Sequence, residues 1–158
     1  VQSKNTGITA SLALEGYLKH IEGGPYLKVY THISKDPTIG FGHKWKIGDK
    51  TVITAEEAEA YFHQDLQIAV NAVKDLVVWP LNYQCQVDAL ISGLFNLGAG
   101  SINGTHFLTF LNHGQFVEAF SIWSQFCHAK GEAIEGLLTR RIDETRIFFG
   151  RRVDGYSP

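Results

Sequence analysis

No eighteen consecutive apolar residues occur in this chain. A bilayer-spanning helix needs about 20, so no membrane span is expected. An excess of positive charge is missing too: 14 Lys and Arg against 16 Asp and Glu leave a net charge of -2. Nucleic-acid binding normally needs a basic footprint, and the sequence argues against it. Cysteine is confined to Cys85 and Cys127, which cannot make a disulfide scaffold. Both lie in apolar patterns and are read as buried free thiols, with pairing in an oxidising compartment as the alternative. Two cysteines cannot complete a four-ligand zinc site, and the seven histidines form no His-Glu-x-x-His motif. No metal and no cofactor are therefore assigned. Methionine is absent, and the opening Val-Gln-Ser-Lys-Asn-Thr-Gly has no hydrophobic signal core. It reads as a processed chain or an expressed fragment, with earlier export left open.

What is present describes a folded protein. A chain of 158 residues that is 44% hydrophobic and 19% charged can bury a sizeable core, as one compact unit or two small lobes. Lys28, Lys35, Lys44, Lys46 and Lys50 fall in one region, and Arg140, Arg141, Arg146, Arg151 and Arg152 near the C-terminus. Most of these are read as solvated surface charge.

Ser11 can cap a helix whose Leu14, Leu18 and Ile21 recur along one side, and Gly23-Gly24-Pro25 stops it. Glu22 then falls in the last turn, where the helix dipole disfavours an anion and, with partial burial, favours keeping a proton. From Tyr26 to Lys50, apolar residues broken by Asp36-Pro37, Gly40, Gly42 and Gly48 predict short strands and tight turns. The Gly40-Phe41-Gly42 spacing implies a close backbone approach or unusual dihedrals. Thr54 and Glu57 form a capping box opening a helix to about Leu76, with Ala58, Phe62, Leu66, Ala69 and Val73 as its buried stripe. Trp79-Pro80 ends that region.

Further helices are expected from an Asn82 cap through Leu97, and around 107–111, 116–126 and 134–148. No repeat is evident. The expected fold class is α+β: a small N-terminal lobe of short hairpin strands, a long linking helix and a larger helical lobe, with a cleft between the lobes. The expected boundaries are a tail at 1–10, one domain over 11–150 (small lobe 11–53, linking helix 54–79, helical lobe 80–150) and a tail at 151–158.

Five stretches in order carry a family resemblance. They are Ile21-Glu22-Gly23 with Tyr30 and Thr38-Ile39-Gly40-Phe41-Gly42-His43; Ile53-Thr54 with Glu57-Ala58 and Asp65-Leu66; Pro80-Leu81, Val87-Asp88-Ala89-Leu90 and Phe95-Asn96 with Gly98; Phe107-Leu108 with Leu111-Asn112; and Gly136-Leu137 with Arg140-Arg141 and Glu144. Across residues 12–150 the chain resembles the phage-type lysozymes, the endolysins related to the phage T4 enzyme. The resemblance implies a muramidase that hydrolyses the β-1,4 bond between N-acetylmuramic acid and N-acetylglucosamine. Glu22 matches the family's catalytic glutamate, and Thr38 the threonine that helps place the attacking water. The family's aspartate lies six residues before that threonine, and here that residue is His32. The run from Gly23 to Tyr30 also holds one residue more than the family pattern.

The chemistry explains why two groups are wanted. A protonated carboxylic acid gives its proton to the leaving glycosidic oxygen, and a second group activates water or stabilises the positive sugar ring. Glu22 is the expected general acid; a glutamate at a helix end is otherwise commonplace. His32 has three readings: a neutral general base, an imidazolium that depresses the acid, or a bystander in an enzyme of weakened activity. Asp36 can be brought toward the cleft by a turn rearrangement, although Asp before Pro is a common turn residue. His43 orients the site or, as favoured, packs behind it with hydrogen bonds. Asn96 is expected to bond loop backbone before Gly98, with a sugar contact the lesser alternative. Arg140 or Arg141 reaches back to Glu22, or both pair on the helix surface with Asp143 or Glu144. Phe107, Trp123 and Phe126 are read as core in preference to a stacking platform.

The implied partner is the glycan of bacterial peptidoglycan, met in the periplasm or outside the cell, by a monomer. A larger parent protein and an immunity or inhibitor partner stay open. Two alternatives remain: a lysozyme-fold protein that binds without cleaving, and a lytic transglycosylase that cleaves without water.

Overall fold

The computed structural model describes residues 4–31, 36–129 and 131–158. Helix α1 (Leu12–Glu22) starts where the Ser11 hydroxyl accepts the Leu14 N–H at 3.1 Å, and Gly23 ends it at φ +69°. Its inward face is Leu14, Tyr17 and Leu18. Ile21, expected on that stripe, is instead partly exposed at the edge of a cavity described below.

The glycine-punctuated region folds as an antiparallel sheet in the order β1 (Tyr26–Tyr30), β2 (Thr38–Gly40) and β3 (His43–Lys44). Tyr30 stands opposite Thr38, and Ile39 opposite His43. All of β2 is buried, because it lies between its two neighbours and against α2 (Ala55–Leu76).

The Thr54–Glu57 capping box forms in both directions: the Thr54 hydroxyl accepts the Glu57 N–H, and the Glu57 carboxylate accepts the Thr54 N–H. The expected stripe Ala58, Phe62, Leu66, Ala69 and Val73 is buried, joined by Val70 and Ala72. At 1.5 Å per residue, α2 is about 33 Å long.

Helix α3 (Gln84–Leu97) is the central helix of the remainder and packs on α2 and on α6 (Glu135–Phe148). It begins after Tyr83, not at an Asn82 cap, because the Gln86 side chain accepts the N–H groups of both Asn82 and Tyr83. Between α3 and α6 lie α4 (His106–Asn112), α5 (Phe116–Trp123) and a small hairpin, β4 (His128–Ala129) with β5 (Glu132–Ala133). Phe107 and Trp123 stack at 4.3 Å inside the core, with Phe126 tilted against Trp123. Their expected role as core holds.

Both segments read as tails contain an anchored residue. Asn5 is buried and donates to the Val77 and Trp79 carbonyls while accepting from Leu81. Tyr156 is buried and donates to Asp88 at 2.9 Å. Cys85 and Cys127 are free thiols, the second buried. No described helix is long and apolar enough to cross a membrane.

Candidate active site

Glu22 is the last residue of α1, so the buried face of that helix fixes where its carboxylate can reach. The side chain is 13% exposed. Its Oε1 accepts a hydrogen bond from Arg140 Nη1 of α6 at 2.5 Å. On the other side stands Gly42, in the turn between β2 and β3. A Cβ added there would lie 3.1 Å from Glu22 Oε2, at a φ of +90°. The spacing of Gly40-Phe41-Gly42 thus serves a close approach: sheet backbone closes on the acid from one side and a guanidinium from the other.

Thr38 is 6% exposed, and its Oγ1 is buried without a well-formed hydrogen bond. Its cross-strand neighbour Tyr30 lies within electrostatic reach of both Thr38 and Glu22. Burial pushes the Tyr30 phenol up; the Thr38 hydroxyl opposes this and the charge of Glu22 adds to it. Sequence reasoning gave Tyr30 no role. The available signal was the shared face of Tyr26, Lys28 and Tyr30 on a strand; the Tyr26 and Tyr30 rings do lie 4.3 Å apart.

His43 Nδ1 lies 2.9 Å from Asp65 Oδ2, and its ring stacks on Tyr61 at 4.5 Å. It ties β3 to α2. Asp36 is 77% exposed, with its carboxylate 3.9 Å from Lys44 Nζ. It faces solvent and is not turned onto Glu22. His32 lies outside the described residues.

Asn96 corrects its expectation. Its Oδ1 accepts from Arg141 Nη2 at 3.1 Å rather than serving loop backbone. The two adjacent arginines also divide their tasks. Arg140 reaches Glu22, and fully buried Arg141 pairs with Glu144, Nε to Oε2 at 2.8 Å. Neither is solvated surface charge. Burial pulls the Arg141 guanidinium down, and the negative charge of Glu144 opposes that pull. Beside these groups opens a cavity of about 290 Å³ bordered by Tyr17, Ile21, Glu22, Asn96, Leu137 and Arg140. Desolvation raises Asp143 on its rim above the usual carboxylate range. Among the described residues, no group of three or more His, Cys, Asp or Glu is placed to hold a metal ion.

The family model for phage lysozyme matches residues 19–144. The chain belongs to the phage lysozyme family. The endolysin of Salmonella phage P22 is 36% identical over 135 residues, 80% of this chain and 89% of that one. The endolysin of Bacillus phage PZA is 32% identical over 79% of this chain, which spans about half (49%) of that longer relative. Among solved structures, the endolysin of Escherichia coli O157:H7 phage FAHEc1 superposes with a TM-score of 0.76 at 28% identity, covering 96% of this chain and 98% of that one. The muramidase domain of SpmX from Asticaccaulis excentricus gives 0.74 at 30% identity, covering 89% and 97%. The α+β fold is lysozyme-like, and the phage lysozyme match begins three residues before Glu22 and closes on Glu144.

Proposed function

We propose that this member of the phage lysozyme family is a muramidase. It hydrolyses the β-1,4 bond between N-acetylmuramic acid and N-acetylglucosamine in bacterial peptidoglycan, working at the wall in the periplasm or outside the cell. The observation that carries the reading is the enclosure of the Glu22 carboxylate between Arg140 and Gly42 at the edge of a cavity.

In this mechanism Glu22 begins protonated and gives its proton to the leaving glycosidic oxygen as the bond to the sugar carbon breaks. Arg140, already in contact, balances the negative charge left on Glu22. A water then adds its oxygen to the sugar carbon, and its proton passes to neutral His32 or to solvent water. Thr38 positions that water; its hydroxyl is buried beside the Tyr30 phenol on the strand that faces Glu22. His32, standing where the family's aspartate is expected, activates or positions the same water.

The test is release of reducing ends from purified peptidoglycan between pH 4 and 8. Glu22→Gln is expected to lower it at least about 100-fold while circular dichroism stays unchanged. A glutamine variant that still cleaves removes Glu22 as the acid. In the same assay, unchanged turnover in His32→Ala takes that residue out of the mechanism. The histidine in place of aspartate also favours a second reading, a lysozyme fold that binds glycan without cleaving it; affinity without turnover in the wild-type chain would establish it. Anhydro-muramic ends in the mass spectrum would instead mean transglycosylation.

A further inference from the structure

Arg140 is held from behind as well as from the front. Its Nη2 donates to the Ser92 carbonyl at 3.3 Å, and its Nε lies 3.4 Å from Glu144 Oε1, one turn along α6. Glu144 is fully buried. Taking a carboxylate out of water costs several kcal/mol, and here that cost is offset by a dense set of donors. Ser92 Oγ reaches Oε1 at 2.8 Å, Arg141 Nη2 reaches Oε1 at 2.9 Å, and Trp123 Nε1 reaches Oε2 at 2.9 Å. The sequence makes room for this. A Cβ on Gly93 would stand 2.5 Å from the Trp123 ring, so a glycine in the middle of α3 lets the indole reach the carboxylate. The result is a chain of alternating charge, Glu22, Arg140, Glu144 and Arg141, in which one buried carboxylate is shared by two guanidinium groups.

We infer that Glu144 is a positioning residue for the reaction that acts through Arg140, sharing the guanidinium's charge and so setting how firmly Arg140 holds the Glu22 carboxylate. The inference rests on the muramidase reading with Glu22 as acid. A general acid must enter the reaction protonated, and an unshared guanidinium in contact with a carboxyl group favours the anion. Because Glu144 and the Ser92 carbonyl hold Arg140 from behind, the guanidinium is aimed at the place where the carboxylate stands after proton transfer. Among the described residues, the charged and titratable groups around the pair are Tyr30 of β1, Tyr17 of α1, and Asp143, Arg141 and Glu144 of α6. Helix α3 contributes neutral Ser92 and Asn96, and the turn after β2 contributes the Gly42 backbone.

The sign follows directly. Removing the negative charge of Glu144 leaves the positive charge of Arg140 less shared, favours the Glu22 anion, and moves the alkaline limb of kcat/KM to lower pH. Ser92→Ala takes one donor from Glu144 while keeping its charge, so Glu144 pulls harder on Arg140 and the limb moves up. The experiment compares wild type, Glu22→Gln, Glu144→Gln and Ser92→Ala on soluble uncross-linked peptidoglycan chains across pH, with thermal unfolding of each. Glu144→Gln is expected to lower the limb by roughly half a pH unit or more, with kcat falling about ten-fold and KM within about two-fold of wild type. Ser92→Ala is expected to shift the limb the opposite way. A folded Glu144→Gln with the wild-type profile overturns the inference. If that variant does not fold, Ser92→Ala decides, and an unshifted limb there overturns it. An active Glu22→Gln, or an inactive wild type, instead defeats the muramidase reading and this inference with it.

Discussion

At Gly42 the backbone runs at φ +90° with space for a hydrogen and little more before Glu22 Oε2. Gly48 has a similar φ of +101°, but an added Cβ there meets nothing within 4 Å. The two positions separate backbone strain from crowding of the acid. Placing alanine at either costs about 1–2 kcal/mol, because a left-handed backbone brings Cβ onto the carbonyl oxygen. Gly42→Ala should in addition push the Glu22 carboxylate off Arg140 and lower kcat about ten-fold. Gly48→Ala should lose comparable stability in urea and keep its turnover. Full activity in Gly42→Ala would show that the glycine serves the turn and not the acid. The neighbouring arginines explain why residue-level reading stopped short. Adjacent positions on a helix point about 100° apart, and the local pattern around Arg140-Arg141 does not say which direction faces α1.

Helices with chemically explicit ends were legible as elements. Helix α2 carries its start signal in Thr54 and Glu57, and each bond of that capping box depends on residues three apart. Glu57 is also paired with Lys50. Thr54→Ala removes the acceptor for the Glu57 N–H and should cost about 1 kcal/mol, read as a lower urea midpoint at unchanged slope. No loss would mean that the helix start is held by tertiary packing instead. Helix α3 was placed less well at its start because the amides just before it, of Asn82 and Tyr83, are served by Gln86 from within the helix. The hairpin of β4 and β5 was not expected at all: two-residue strands carry too little alternation to register as a period.

At the scale of the molecule, the start of α1 and the segment after α6 are fastened through one buried carboxylate. Asp88 accepts from the Ser11 N–H at 3.1 Å, the Ser11 hydroxyl at 2.5 Å, Gln84 Nε2 at 2.8 Å and the Tyr156 hydroxyl at 2.9 Å. It joins the start of α1, and so the base that carries Glu22, to α3 and to the C-terminal segment. Tyr156→Phe keeps the ring that packs edge-on against Tyr17 and removes one of these donors. The expected cost is about 1–3 kcal/mol, since Asp88 is fully buried, with reducing-end release at 25 °C retained. A variant as stable as wild type would show that the segment is held by ring packing and not by the buried bond.

The sequence by itself determined the family, the α+β class and the candidate acid Glu22, because these depend on local signals: caps, glycine punctuation, apolar period and short motifs in a fixed order. It also carried a pair that is close along the chain, Thr54 with Glu57, and left Asp143 or Glu144 as alternative partners for the two arginines. Tertiary structure decided which arginine meets Glu22, that Asn96 serves Arg141, that Asp36 faces water, and that Glu144 is a buried hub and not a surface partner. Those choices depend on the rotation of α6 against α1 and α3, which is set by the sum of many packing contacts and by no single residue pair. Electrostatics then follows from burial: the same Arg-Arg-x-x-Glu spacing is a screened surface pair in water and a strongly coupled network once Trp123, Ser92 and the core exclude it.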